Sequence, residues 1–236
     1  MTVDWAAVVD GTWPAAGYEQ LGPFLLREGQ GGGSRVSAAS RIGPVTPPDI
    51  DAAEAAMLAM GQKRIFCLRP GDKALDDMLA ARGYEILDPV NIYACRVSRL
   101  TDQPVPPVTV FTLWEPLAIM REIWAQGGIG PERLAVMERA PGPKTGLLLR
   151  HRDQPAGTGF VAIHDGIAML HALEIVPAHR RQGLGRWAMR AAAFWALDNG
   201  AHTLSVICTK ANTGANALYH SLGMDRVGEY HYRQLV

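Results

Sequence analysis

A short apolar run stops at a proline, passes two closely spaced glycines set among arginines, and resumes with helical periodicity. This stretch restricts the fold more than any other in the 236 residues. Residues 170–176 (LHALEIV) read as a buried strand ended by Pro177. Arg180, Arg181, Gln182, Gly183, Leu184, Gly185 and Arg186 follow. From there the spacing of Leu184, Trp187, Ala188, Ala191, Phe194 and Trp195 predicts an amphipathic helix to about Asn199, with Gly200 as its stop. Without a Cβ, Gly183 and Gly185 let the backbone approach a ligand closely. The first amides of a helix have no intrahelical partner and lie at its positive end, so a phosphate or pyrophosphate is their natural occupant. A basic helix start at the surface could carry the same residues, so the surrounding sequence has to decide.

A second pattern lies further on. Asn212, Ala215, Leu218, Tyr219, Gly223 and Met224 are spaced as N-x-x-A-x-x-L-Y-x-x-x-G-M. Together with Arg180-x-x-Gly183-x-Gly185 after a strand ending Leu-Glu-Ile-Val-Pro, it resembles the acyl-CoA signature of the GNAT superfamily of N-acetyltransferases, with Met224 where Phe is usual. The turn is not a dinucleotide G-x-G-x-x-G, because position 188 is Ala and no acidic ribose ligand follows at the right distance, and no Gly-Lys-Ser/Thr marks a P-loop. The resemblance covers residues 108–236 and implies an α/β (α+β) fold, with a mixed, mostly antiparallel sheet flanked by helices.

Composition excludes other classes. Lys+Arg and Asp+Glu both number 23, which argues against a nucleic-acid surface spread over the molecule. With 48% hydrophobic and 19% charged residues the chain can bury a sizeable core. Cys67, Cys95 and Cys208 sit in apolar runs without metal spacing, which predicts free thiols in a reducing compartment and no metal. The first residues lack a signal-peptide pattern, and the longest apolar run, 191–197, is too short to span a bilayer. A cytoplasmic protein without a membrane partner is expected.

The first half echoes the second. Asp72, Leu75, Met78, Leu79 and Gly83 fall on Asn212, Ala215, Leu218, Tyr219 and Gly223 when the numbering is shifted by 140. Apolar strands flank both sets, which suggests an internal repeat. Residues 1–100 then form a degenerate GNAT-like domain without the arginine–glycine turn, 101–107 (TDQPVPP) a linker, and 108–236 the catalytic domain. In the first half, strands are expected at 21–27 and 34–40, joined as a hairpin through 28–33 with Gly31, Gly32 and Gly33 in its turn. A helix is expected over 50–60 with Asp49 as its cap. In the second half, strands 145–151 and 158–164 turn through 153–157, and the loop Gly127-Gly128-Ile129-Gly130 joins two helices beside the acceptor site that the resemblance implies.

The resemblance also implies chemistry. The turn from Arg180 to Arg186 would hold the CoA pyrophosphate, the backbone of Leu173, Ile175 and Val176 the pantetheine arm, and Asn212 would hydrogen-bond that arm or cap its helix, with Ala215 beside it. Tyr219 matches the acid that protonates the departing thiolate. The base stays open between His171 and Glu174. Strict alternation would put His171, Leu173 and Ile175 on one strand face and Glu174 on the other. The expected activity is direct acetyl transfer from acetyl-CoA to a primary amine. A non-catalytic acyl-CoA sensor or scaffold module stands as the alternative, and a homodimer is an expectation carried over from the family.

Overall fold

The computed structural model describes residues 3–235; residues 1, 2 and 236, at the outer ends of the two expected halves, lie outside them. Helix α1 (Trp5–Thr12) is capped by Asp4. Strands β1 (Gly17–Leu21) and β2 (Phe24–Glu28), a single helical turn α2 (Ser34–Ser37) and strand β3 (Ala39–Arg41) follow. Then come α3 (Pro47–Ala59), β4 (Ile65–Leu68), α4 (Lys73–Ala81) and β5 (Glu85–Arg96). The second half runs β6 (Val110–Leu113), α5 (Ala118–Gln126), α6 (Pro131–Arg139), β7 (Lys144–His151), β8 (Gln154–His164) and β9 (Ile167–Ile175). It ends with α7 (Leu184–Asp198), β10 (Thr203–Thr209), α8 (Thr213–Ser221) and β11 (Asp225–Gln234).

Three local expectations are corrected. The first hairpin turns at Gly22-Pro23 and not through 28–33, since Leu21 pairs with Phe24. The outward positions of β1 are polar, so its alternation gave no apolar signal, and the glycine run leads into α2 instead. Helix α3 starts at Pro47, whose fixed φ and missing amide suit a first helical position. Thr46 is its cap, and Asp49 accepts from the Thr46 amide at 2.7 Å in a capping box. The β7–β8 link narrows to Arg152 and Asp153, both at positive φ, and strand pairing resumes at Gln154.

All eleven strands form one sheet in the order β1-β2-β3-β4-β11-β5-β10-β9-β8-β7-β6. The pairs β3–β4 and β9–β10 are parallel. Strand β5, from the first half, lies between β11 and β10, while β11, from the second, lies between β4 and β5. Each half therefore places its last strand inside the other half. Helices α4 and α8 occupy 73–81 and 213–221, the displacement of 140 seen in the sequence. The fold is mixed α/β, a mostly antiparallel sheet flanked by helices. On one side α7 lies close to the sheet because its inward residues Ala188, Ala192, Ala193 and Ala196 are small and fully buried. On the other, Trp13, Trp124 and Phe160 anchor α1, α5 and α6.

Candidate active site

The site begins as a gap in the sheet. Strands β9 and β10 pair from Ile167–Thr203 to Leu170–Val206, then part, although each continues for several residues. A β-bulge coincides with the parting. Phe160 opposes His171 and Thr158 opposes Glu174, so Ala172 and Leu173 together face Gly159. Ala172 has φ +50°, and its carbonyl accepts from the Trp124 indole at 2.8 Å. The bulge overturns the expected alternation. Leu173 and Ile175 pack with Leu170 in the cluster that contains α7, whereas His171 and Glu174 share the opposite face with Phe160 and α5.

The α7 side carries the donor residues. Gly183 has φ +80° and precedes α7, no side chain caps the helix, and a Cβ at Gly183 would meet nothing within 4 Å. The space in front of the first amides is open, as a bound anion requires. Gly185 has a different reason to lack a side chain, since a Cβ there would lie 2.9 Å from Leu218 of α8. Arg180 turns back to the strand: its Nε donates to the Ile175 carbonyl at 2.9 Å and its Nη2 to Glu174 at 3.0 Å. Arg181, at φ +63°, and Gln182 are exposed, Leu184 is buried, and Arg186 reaches Ser221. The Val176 amide donates to the Ala156 carbonyl at 2.9 Å and so faces β8 and not the gap. Asn212 accepts from the Ala215 amide at 3.0 Å, capping α8. A cavity of about 300 Å³ beside Gln182 is also lined by Arg150 and Arg152, which in sequence look like hairpin charges.

Tyr219 belongs to the same face, buried in the cluster with Leu173, Ile175, Leu184 and Ala215. Burial, then Cys208 and Tyr93, push its hydroxyl far above the usual tyrosine range, so it remains a proton-bearing donor. Its ring lies 5.6 Å from that of Tyr93, which β5 brings from the first half. Tyr93 and Asn91 both donate to Asn216 of α8, at 2.9 and 2.8 Å. The exchanged strand thus fixes the helix that carries Tyr219.

The opposite face holds groups that the sequence did not single out. Arg35 of α2 donates through Nη1 to His171 Nδ1 at 3.1 Å. A guanidinium can only donate, so the imidazole proton sits on Nε2 and points to Thr12 Oγ1 at 2.9 Å; Thr12 donates onward to the Val8 carbonyl at 2.7 Å. Burial first, then Arg35, hold His171 well below the usual histidine pKa, hence neutral. Its ring stacks 5.0 Å from Trp13. Two cavities, of about 420 and 200 Å³, share Arg35, Tyr230 and Tyr232 as walls. The smaller also touches Ala172 and Thr209, on the two edges of the gap. Among the described residues no cluster of His, Cys, Asp and Glu could hold a metal ion, and no helix is long and apolar enough to cross a membrane.

Residues 114–224 match the model of the acetyltransferase (GNAT) family. That segment, just under half of the chain, is a GNAT-family domain. The chain is 29% identical over 236 residues to the uncharacterized N-acetyltransferase YobR of Bacillus subtilis (strain 168), with 94% of each chain covered. Its fold is similar to that of a GCN5-related N-acetyltransferase from Kribbella flavida, with a TM-score of 0.71, 20% identity and coverage of 99% and 96%. It is also similar to a tandem GNAT protein from the clavulanic acid biosynthesis pathway, with a TM-score of 0.59, 14% identity and coverage of 84% and 74%.

Proposed function

We propose that residues 108–236 transfer an acetyl group from acetyl-CoA directly to a primary amine, and that residues 1–100 support this site without a donor site of their own. The observation that carries the reading is the gap between β9 and β10. An uncapped helix start and Tyr219 lie on one face, and two open cavities lie on the other.

The donor's pyrophosphate would rest on the amides after Gly183, with Arg181 and Gln182 beside it, and its pantetheine arm would run along Leu173 and Ile175 toward Asn212. The amine nitrogen, once deprotonated, attacks the thioester carbon; the C–S bond breaks and the electron pair leaves on sulfur. The thiolate of a thiol with pKa near 8.5 is a weaker base than tyrosinate, so Tyr219 stabilises it as a hydrogen-bond donor. The second nitrogen proton, released as the tetrahedral adduct collapses, ends on the CoA sulfur; the products are an amide, free CoA and the one proton that the ammonium gave up before attack. Glu174 faces the acceptor side and is the carboxylate suited to take that proton. His171 has both ring nitrogens occupied, and its role is to hold Arg35.

Calorimetric titration with acetyl-CoA, followed by thiol release with a panel of amines, tests the proposal. Micromolar binding and amine-dependent CoA release are expected. The Arg180–Glu174 pair favours a second reading, an acyl-CoA sensor, because Arg180 already occupies an oxygen of the one candidate carboxylate, at 3.0 Å. Binding without release by any amine would establish that reading instead.

A further inference from the structure

The acceptor side contains a cation with no counter-charge. Arg35 Nε is buried without a hydrogen-bond partner, and among the described residues no carboxylate lies within ion-pairing distance of its guanidinium. The other charges of the larger cavity are spoken for on the acidic side. Asp10 is bidentate to Arg27, at 2.9 and 2.7 Å, Asp4 caps α1, and Glu229 pairs with Lys210 at 2.7 Å. Nor does Tyr232 supply a negative charge, since burial and Tyr230 keep its hydroxyl protonated.

Arg35 is also held in place and not left to find a partner. His171 fixes Nη1, the Trp13 ring lies 5.8 Å beneath the guanidinium carbon, and α2 is anchored by Val36, which is fully buried. A guanidinium held in this way, lining both cavities beside the Tyr230 and Tyr232 hydroxyls, is suited to receive a planar anion through its remaining N–H donors. The smaller cavity runs from Arg35 to Ala172 and Thr209 at the gap, where the acceptor's amine has to meet the thioester. The larger one, flanked by Trp5, Val9 and Ile92, gives room for an apolar body.

We propose that the acceptor is an amino carboxylate, with its carboxylate on Arg35, its amine at the β9–β10 gap and its apolar part in the larger cavity. This rests on the acetyltransferase reading above and adds the substrate class. It also explains the arrangement of His171. The neutral imidazole orients Arg35 by accepting from it and adds no competing charge, so His171 is a positioning residue. A free amine without an acid would leave the guanidinium unpaired in the complex and gain little from it.

The test compares α-, β- and ω-amino acids with their carboxamides as acceptors, measuring thiol release, while calorimetry follows acetyl-CoA binding separately. At least one acid is expected to exceed its amide by tenfold or more in kcat/KM, with the difference mainly in KM. Arg35→Gln should abolish that preference while its acetyl-CoA affinity, which also reports correct folding, stays as in the parent. Arg35→Lys should restore part of the preference, because the charge returns without the planar fork. Acetyl-CoA binding with no acid preferred over its amide, whether through equal rates or no turnover at all, overturns this inference and leaves the donor site standing. Loss of acetyl-CoA binding in the parent protein overturns the acetyltransferase reading itself.

Discussion

The helices that follow the two parallel strand pairs, α7 after β9 and α3 after β3, start in opposite ways. Helix α7 begins after a left-handed glycine, has no acid in its first turn and has no cap. Helix α3 begins with Pro47 and Pro48, which have no amide hydrogens to offer, and with Thr46 and Asp49 closed into a capping box. Asp49 also places a negative charge where an anion would have to sit. The next helices differ in the same sense. Tyr219 of α8 borders the gap, while its counterpart Leu79 in α4 is fully buried in the apolar cluster of Phe24, Ile50 and Phe66. The second repeat leaves the start of α7 unsatisfied for a ligand, and the first satisfies the start of α3 internally. What the first half retains is the exchanged strand, through which Tyr93 and Asn91 support the second.

The largest effect should come from filling the donor site. Gly185→Trp drives a side chain into Leu218, 2.9 Å from the Cβ position, and closes the space ahead of the first amides. A loss of at least about 100-fold in acetyl-CoA affinity, about 2.7 kcal/mol, is expected by titration. An unchanged Kd would mean that the donor does not bind there. The matched positions Tyr219 and Leu79 sharpen the contrast. Tyr219→Phe should lower kcat by about 10²-fold with acetyl-CoA affinity retained. Leu79→Ala should leave kcat alone and cost about 3 kcal/mol in denaturant unfolding, because it opens a cavity at a fully buried site. A Leu79→Ala variant that is stable but slow would deny that the first half is purely supportive.

His171, which joins the halves through Arg35 and Thr12, gives a smaller, pH-dependent effect. Its folded pKa lies well below the unfolded value near 6.5, so below that pH the unfolded chain gains a proton that the folded chain refuses. The stability it contributes is complete above about pH 6.5 and is lost as the pH falls, by about 1.4 kcal/mol per pH unit while the folded imidazole stays neutral. In His171→Gln this part of the acid slope should vanish in urea titrations between pH 6.5 and 5; an unaltered slope would place the proton elsewhere.

Local chemistry explains what the sequence disclosed. Glycines after a proline-stopped strand, apolar residues at helical spacing and the N-x-x-A-x-x-L-Y pattern each act within one element, so α7, α8 and the register between α4 and α8 were legible. The bulge was not, because its one trace is the adjacent apolar pair Ala172–Leu173 in L-H-A-L-E-I, and Ala172 is a residue that rarely takes positive φ. Nor was the exchange of β5 and β11, which depends on pairing between distant strands. Arg35 escaped notice inside G-G-G-S-R-V-S, since its partner His171 lies 136 residues away. The elements were readable and the acceptor side was not, because its groups converge only in the folded sheet.

The smallest expected effects test whether capping alone separates the two helix starts. Thr46→Ala should lower the Tm by about 2–4 °C, as loss of a helix cap does in a domain of this size, and leave acetyl-CoA affinity unchanged. Placing an acid at the start of α7 with Gln182→Asp should weaken acetyl-CoA by about fivefold through the helix dipole, an effect that shrinks as salt is raised. Removing the acid from α3 with Asp49→Ala should not create a second site, because Pro47 and Pro48 still lack the amides an anion needs. Titration should therefore return one acetyl-CoA per chain for that variant. A stoichiometry of two would show that Asp49 alone had kept the first half silent, and that the degeneracy of the repeat is electrostatic and not a matter of missing donors.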